Sequence, residues 1–327
     1  MAQQTAVRGA AADRISVSEF LYAQKNVLII WGLLLVIVVT ATILQPRFAT
    51  AENLKNVLVQ STALGVIAVG QTFVILTAGI DISVGAVAAL VVVTMSHLAN
   101  RNPEAVPWAV LAGMVIGLAA GIFNGFGVAK LHVSPFMMTL GTMSISQGIA
   151  LQLRPQPGGL IPGEFAWLAS GSVAGIPVPV IYFALVAAVA FVVLSATRFG
   201  KHVYAVGGNE ETTRLSGLPT DRIKFGVYAV SGFCAALGGI FLSSRIRSGD
   251  ALIGTSFGLD SITAVVLGGT SLFGGRGSLL GTVAGVFIIA SLSNIMNLLG
   301  VSTYFQYIFK GAILIVAVTF YDFQRKR

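Results

Sequence analysis

Residues 76–85 read LTAGIDISVG and hold Asp81, the one formally charged side chain in the 45 residues from Asn56 to Asn100. A carboxylate in so apolar a stretch has two uses. It meets a passing polar or cationic group, or it accepts hydrogen bonds from backbone N–H groups freed where a helix breaks. Gly79 and Ser83 beside it favour the second use. Glycine tolerates the left-handed conformation that ends one helix, and Asp or Ser caps the next. The other ionisable groups within apolar runs are Asp260 and Lys310. The largest uncharged polar groups there are Gln71, Asn124, Gln147, Asn294 and Asn297. Such amides either line a path for a polar solute or bond neighbouring helices. Catalytic machinery is not visible: there is no G-x-x-x-x-G-K-[ST] and no H-E-x-x-H. His97, His132 and His202 are scattered singly, and Cys234 is the one cysteine. No catalytic residue, metal site or cofactor is therefore expected in this chain, and no intrachain disulfide.

The elements that must position these residues are membrane helices. Apolar residues make up 55% of the chain and charged residues 10%, against about 45–50% and 25% in soluble domains. Mean hydropathy is +0.87. Ten apolar runs are candidate spans, at 27–44, 56–78, 82–99, 107–129, 134–153, 177–197, 223–244, 257–272, 279–298 and 303–320, most near the ~20 residues that a bilayer requires. The first is read as an uncleaved span. The chain divides into a polar N-terminal tail (1–26), a transmembrane region (27–320) and a short C-terminal tail (321–327). Its net charge of +8 is topological, with basic residues at the ends of apolar runs, and implies lipid rather than nucleic acid as the surroundings.

With the N-terminus inside, the inner segments carry thirteen Lys and Arg and the outer segments six. That bias places both termini in the cytoplasm. Gly113, Gly117, Gly121 and Gly125 recur every four residues and predict close helix packing within one subunit. A faint repeat offset by 196 residues matches Gly79 with Gly275, Gly85 with Gly281 and Ala88 with Ala284, as expected of two pseudo-symmetric halves. In that alignment Arg276 falls opposite Ile80, so Arg276 is expected to approach Asp81 near the cytoplasmic side. Asp260 is expected to cap the eighth span at the outer surface. The polar loop 198–222 is expected to break at Gly207-Gly208 and to hold a short helix, capped by Asn209 and stopped by Gly217 and Pro219.

Three blocks carry a resemblance: GIDISVG (79–85), AVGGNEETTRLSGL (205–218) and LDSITAVVLGGTSLFGGRGSLLGT (259–282), the last followed by NIMNLLGVSTYFQ (294–306). In these the chain resembles the permease subunits of bacterial ABC-type sugar importers, the ribose/arabinose/galactose permease family. The resemblance implies an all-α polytopic fold of about ten transmembrane helices, type II-like, in the inner membrane. It implies a second permease subunit as a homodimer, two ATP-binding subunits or one fused tandem ATPase holding ATP and Mg, and a periplasmic sugar-binding protein. The coupling helix would be carried by Gly207, Gly208, Asn209, Glu210, Arg214, Ser216 and Gly217. Gln71, Asn124, Gln147, Asn294 and Asn297 are candidates for the translocation path, and Gly79, Asp81, Ser83 and Arg276 for a gating turn. Phe257-Gly258-Leu259-Asp260 stands where many ribose-type members have Tyr-Glu-Leu-Asp, which puts ribose itself in question. The expected function is import of a monosaccharide or related polyol. The alternatives are a modified sugar or sugar-derived autoinducer, or a stand-alone channel or ion-coupled carrier, which would have no need of the cytoplasmic handle.

Overall fold

A computed structural model describes residues 25–325. The tail expected over 1–26 lies almost wholly outside the described residues, as do Lys326 and Arg327. Each of the ten expected spans coincides with a helix. These are α1 (Lys25–Leu44), α2 (Ala51–Leu76), α3 (Val84–Ala99), α4 (Val106–Ala129), α5 (Pro135–Leu153), α7 (Val178–Ala196), α10 (Thr220–Ile246), α11 (Phe257–Leu267), α12 (Leu279–Leu298) and α13 (Thr303–Arg325). The loop after α5 carries the single turn α6 (Trp167–Ser170) and a two-residue hairpin, β1 (Ser172–Val173) against β2 (Ile176–Pro177). Two further helices, α8 (Arg198–Gly208) and α9 (Glu210–Leu215), follow α7. Six helices among the described residues are long and apolar enough to cross a membrane.

The central helix is α2. From Ser61 to Leu76 every residue on it is buried, so it is apolar all round rather than amphipathic. It packs on α10, which packs in turn on α3 and α4. The glycine stripe of α4 lies against α10 inside the subunit, as expected. A Cβ on Gly121 would strike the Tyr228 carbonyl, and one on Gly125 would sit 2.8 Å from that of Phe225. Helix backbones that close hold each other by dispersion, which lipid cannot supply better. At the periphery α1 and α7 expose large aliphatic side chains such as Leu35, Ile43, Leu185 and Val192, a surface suited to lipid tails.

The eighth span departs from expectation. It has 11 helical residues, about 16 Å of rise, roughly half of a ~30 Å hydrocarbon core. The other half is not helical. Residues 247–256 descend beside α3: Gly249 bridges Gly158, Gly254 abuts the Gly85 carbonyl, and a Cβ on Gly258 would lie 2.9 Å from the Ile82 oxygen. Helix α11 thus begins beside the start of α3. Asp260, in its first turn, is not a surface cap. It is 7% exposed, and its Oδ2 accepts from Lys310 Nζ of α13 at 2.9 Å. Spacing alone could not reveal this, because the descending segment has no helical period to count.

The two helix breaks are alike in form, at offsets other than the 196 residues of the faint repeat. Helix α2 ends with Gly79 N–H donating to Val74 O (3.0 Å) and Ala78 N–H to Ile75 O (2.9 Å). Helix α11 ends with Thr270 N–H donating to Val265 O (3.2 Å) and Gly269 N–H to Val266 O (2.8 Å). Both are Schellman endings with a left-handed residue, Ala78 (φ 59°) and Gly269 (φ 81°). The residues that precede α3 and α12 are Ser83 and Ser278.

Candidate functional site

The turn between α2 and α3, residues 77–83, is irregular backbone among helices, with Thr77, Gly79, Asp81 and Ser83 buried and Ala78 exposed. Buried polar groups of the turn need protein partners. Its left-handed residue is Ala78, not Gly79. Gly79 is required for a different reason: a Cβ on it would lie 2.6 Å from the Tyr228 hydroxyl. Asp81 is 1% exposed. Its Oδ1 accepts from the Ser83 N–H (3.0 Å) and the Ser83 hydroxyl (2.6 Å), and its Oδ2 accepts from the Ser231 hydroxyl of α10 (2.9 Å). The carboxylate therefore closes a local turn that starts α3, and it also ties that turn to α10.

Three more helices hold the same segment. The Gln71 amide of α2 lies with its nitrogen on the Asp81 carbonyl (3.0 Å) and its oxygen on the Asp81 N–H (3.2 Å). Asn124 of α4 donates to the Ser83 hydroxyl at 3.0 Å and accepts from Thr142 of α5. The Thr139 hydroxyl of α5 accepts from Ile82 N–H at 3.4 Å and faces the Ile80 carbonyl at 3.3 Å. Residues 80–83 of the turn are thus held by α2, α4, α5 and α10 together. Arg276 takes no part. Its side chain is exposed, its carbonyl accepts from Ser271 N–H (2.9 Å), and no ion pair joins it to Asp81. The expected approach of these two charges is not seen, because hydroxyls and backbone occupy both carboxylate oxygens.

The five amides fall into three places. Gln71 and Asn124 converge on the Asp81 turn. Gln147 donates to the Ala251 carbonyl (2.9 Å), holding the non-helical segment before α11. Asn294 forms a reciprocal pair with Asn53 (2.9 and 3.0 Å), and Asn297 accepts from Gln306 at 2.8 Å. Each is bonded to protein. Ser231, Thr139 and Thr142 were not legible as partners in the sequence, since one hydroxyl in a small-residue helix looks like any other.

At the end of the molecule where α7 runs into α10, α8 and α9 form a helical handle. Thr197 caps α8, accepting from Gly200 N–H at 3.2 Å. Gly200, Val203, Val206 and Gly207 form its buried stripe. The sequence did not announce this helix: three of its eleven residues are glycine and its apolar face is narrow. Gly207 and Gly208 are its last two residues, and the break falls at Asn209 (φ −161°, ψ 107°). Asn209 Oδ1 accepts from Thr212 N–H at 2.8 Å, and Gly217 (φ 80°) ends α9, both as expected. Arg214 pairs with Glu210 (3.0 Å), which also meets Lys224, and the Ser216 hydroxyl donates to Thr212 O (2.8 Å). One residue on α9 is apolar and 81% exposed: Leu215.

Comparison with known proteins bears on this architecture. The family model described as "Branched-chain amino acid transport system / permease component" matches residues 53–318. The chain is 40% identical to the ribose import permease protein RbsC of Haemophilus influenzae over 94% of its own length and 95% of that protein's. It is 41% identical to RbsC of Bacillus subtilis over 87% and 89%. Against the D-allose transport system permease protein AlsC of Escherichia coli it is 34% identical over 88% of both chains. No solved structure matches.

Proposed function

The chain belongs to the family of branched-chain amino acid transport system permease components, and from that premise we propose that it is the membrane-spanning subunit of an ATP-driven importer. It passes a monosaccharide or related polyol from a periplasmic binding protein to the cytoplasm. The observation that carries this reading is the likeness to ribose import permeases across nearly the whole of both chains. The handle supports it: α8 and α9 present Leu215, Glu211 and Arg214 to solvent, as a docking site for a separate ATPase requires. Two copies of the chain would form the path, with two ATP-binding subunits or one tandem ATPase on the side of α8 and α9. That side is the cytoplasm by the Lys/Arg bias, in the inner membrane, with both termini on it. The Asp81 turn would move as the path alternates, and the buried amides would exchange partners as it does.

The test is reconstitution of the complex in proteoliposomes with labelled D-ribose, D-allose and L-arabinose. ATP-dependent accumulation of one of them, requiring the binding protein, is expected. Accumulation without an ATPase, or failure of any ATPase to co-purify with the chain, would sink the reading.

A further inference from the structure

Three stretches of bare backbone meet where α8 ends. A Cβ on Gly207 would collide with the Leu76 carbonyl oxygen and the Gly275 nitrogen. Those two atoms are hydrogen-bonded to each other, Gly275 N–H donating to Leu76 O at 2.9 Å. A Cβ on Gly274 would lie 2.8 Å from both the Ala78 nitrogen and the Gly207 oxygen, and one on Gly275 would lie 2.7 Å from the Gly208 Cα. Gly274 (φ 82°) and Gly275 (φ 69°) are also left-handed, so two independent reasons exclude a side chain there. One turn back on α8, the Tyr204 hydroxyl donates to the Gly277 carbonyl at 3.1 Å. Burial holds its pKa above the usual tyrosine range, so it stays a donor. Helix α9 is tied to α8 in turn, the Thr213 hydroxyl donating to Ala205 O at 2.9 Å.

We propose that this glycine junction is the mechanical link from the α8–α9 handle to the translocation path, with Tyr204, Gly207, Gly274 and Gly275 as its positioning residues. Leu76 and Ala78 end α2 and lead directly into the Asp81 turn. Gly274 and Gly275 lie in the segment that leads from α11 into α12. The junction therefore touches both helix breaks at one point. A side chain between two elements absorbs a displacement by changing rotamer; backbone against backbone cannot. Any shift of the handle is passed to both breaks at once. The inference rests on the reading of the chain as an ATP-driven permease.

The experiment measures sugar accumulated per ATP hydrolysed by the reconstituted complex of full-length permease, ATPase and binding protein, with D-ribose as the first probe. The unaltered complex tests the parent reading: no ATP-driven accumulation of any sugar there is a failure of that reading alone. Given an active complex, Tyr204→Phe is expected to lower the ratio about fivefold, the factor that one lost hydrogen bond supplies, while the ATPase stays bound and hydrolysing. Gly207→Ala should lower it at least as far. Gly148→Ala on α5, with nothing within 4 Å of its Cβ, should stay within about twofold, since only helix propensity changes. A merely structural defect would reduce hydrolysis and uptake together and leave the ratio unmoved. If Gly207→Ala does not assemble, Tyr204→Phe decides alone. An unchanged ratio in Tyr204→Phe overturns the proposal.

Discussion

At Asp81 a carboxyl group sits among helices with no cation against it among the described residues, and its three donors explain how. Two hydroxyls and one N–H supply hydrogen bonds that water would otherwise give. Asp81→Asn keeps an acceptor for the Ser83 N–H, and the serine hydroxyls can reverse to accept from the new amide. It should therefore cost little in thermal stability of the detergent-purified protein. Asp81→Ala leaves buried donors unpaired and should cost about 1–3 kcal/mol for each one that finds no replacement. Equal melting temperatures for the two variants would refute this account. Gln71→Leu makes a separate test, because it strips both backbone groups of Asp81 of their partner while leaving the carboxylate untouched. It should lower the melting temperature more than Asp81→Asn does.

Among the elements, α13 is weakly embedded, with Tyr304, Ile308, Ile315 and Val316 all more than 60% exposed. The Lys310–Asp260 pair fastens it to α11. Removing one partner of such a pair leaves an uncompensated charge at a cost of about 3–5 kcal/mol, whereas replacing both by apolar groups is often neutral. Lys310→Met should thus destabilise strongly, and Asp260→Leu/Lys310→Met should recover most of the loss. A double variant as weak as the single would show that the pair is not what holds α13. The glycine stripe of α4 allows a second comparison at this scale. Gly117→Val should prevent close packing on Gly232 and Ala236 and abolish the folded protein. Gly141→Ala on α5, where nothing lies within 4 Å, should be silent in the same expression and melting assays.

For the whole molecule, the decisive features are its sidedness and its handle. Cys234 is buried, so single cysteines placed at Lys201 and Arg101 report on the two faces without background. With α8 in the cytoplasm, a membrane-impermeant maleimide added to spheroplasts should label the cysteine at 101 and spare the one at 201 until the membrane is broken. The opposite pattern would invert the topology. On the proposed function, Leu215→Asp should abolish co-purification of an ATPase and leave the melting temperature unchanged, since a side chain 81% exposed contributes little packing.

The sequence by itself determined the ten helices, because a run of apolar residues long enough to span a bilayer has few other fates. It also determined the caps at Asn209 and Gly217, which depend on residues within one turn of each other. Tertiary structure decided everything that depends on which helix lies beside which. The partners of Asp81 are Ser83, two residues away, and Ser231, 150 residues away; only the first is local enough to infer. Gln71 and Asn124 sit in unrelated spans, yet both close on the turn that holds Asp81 and Ser83. The eighth span was misjudged because its outer half is a run of turns lying against Gly85, and no periodicity marks such a segment. The glycines at 207, 274 and 275 stand in Gly-rich sequence where their reason is invisible. Only the meeting of three segments of the chain shows that each one has no space for a Cβ.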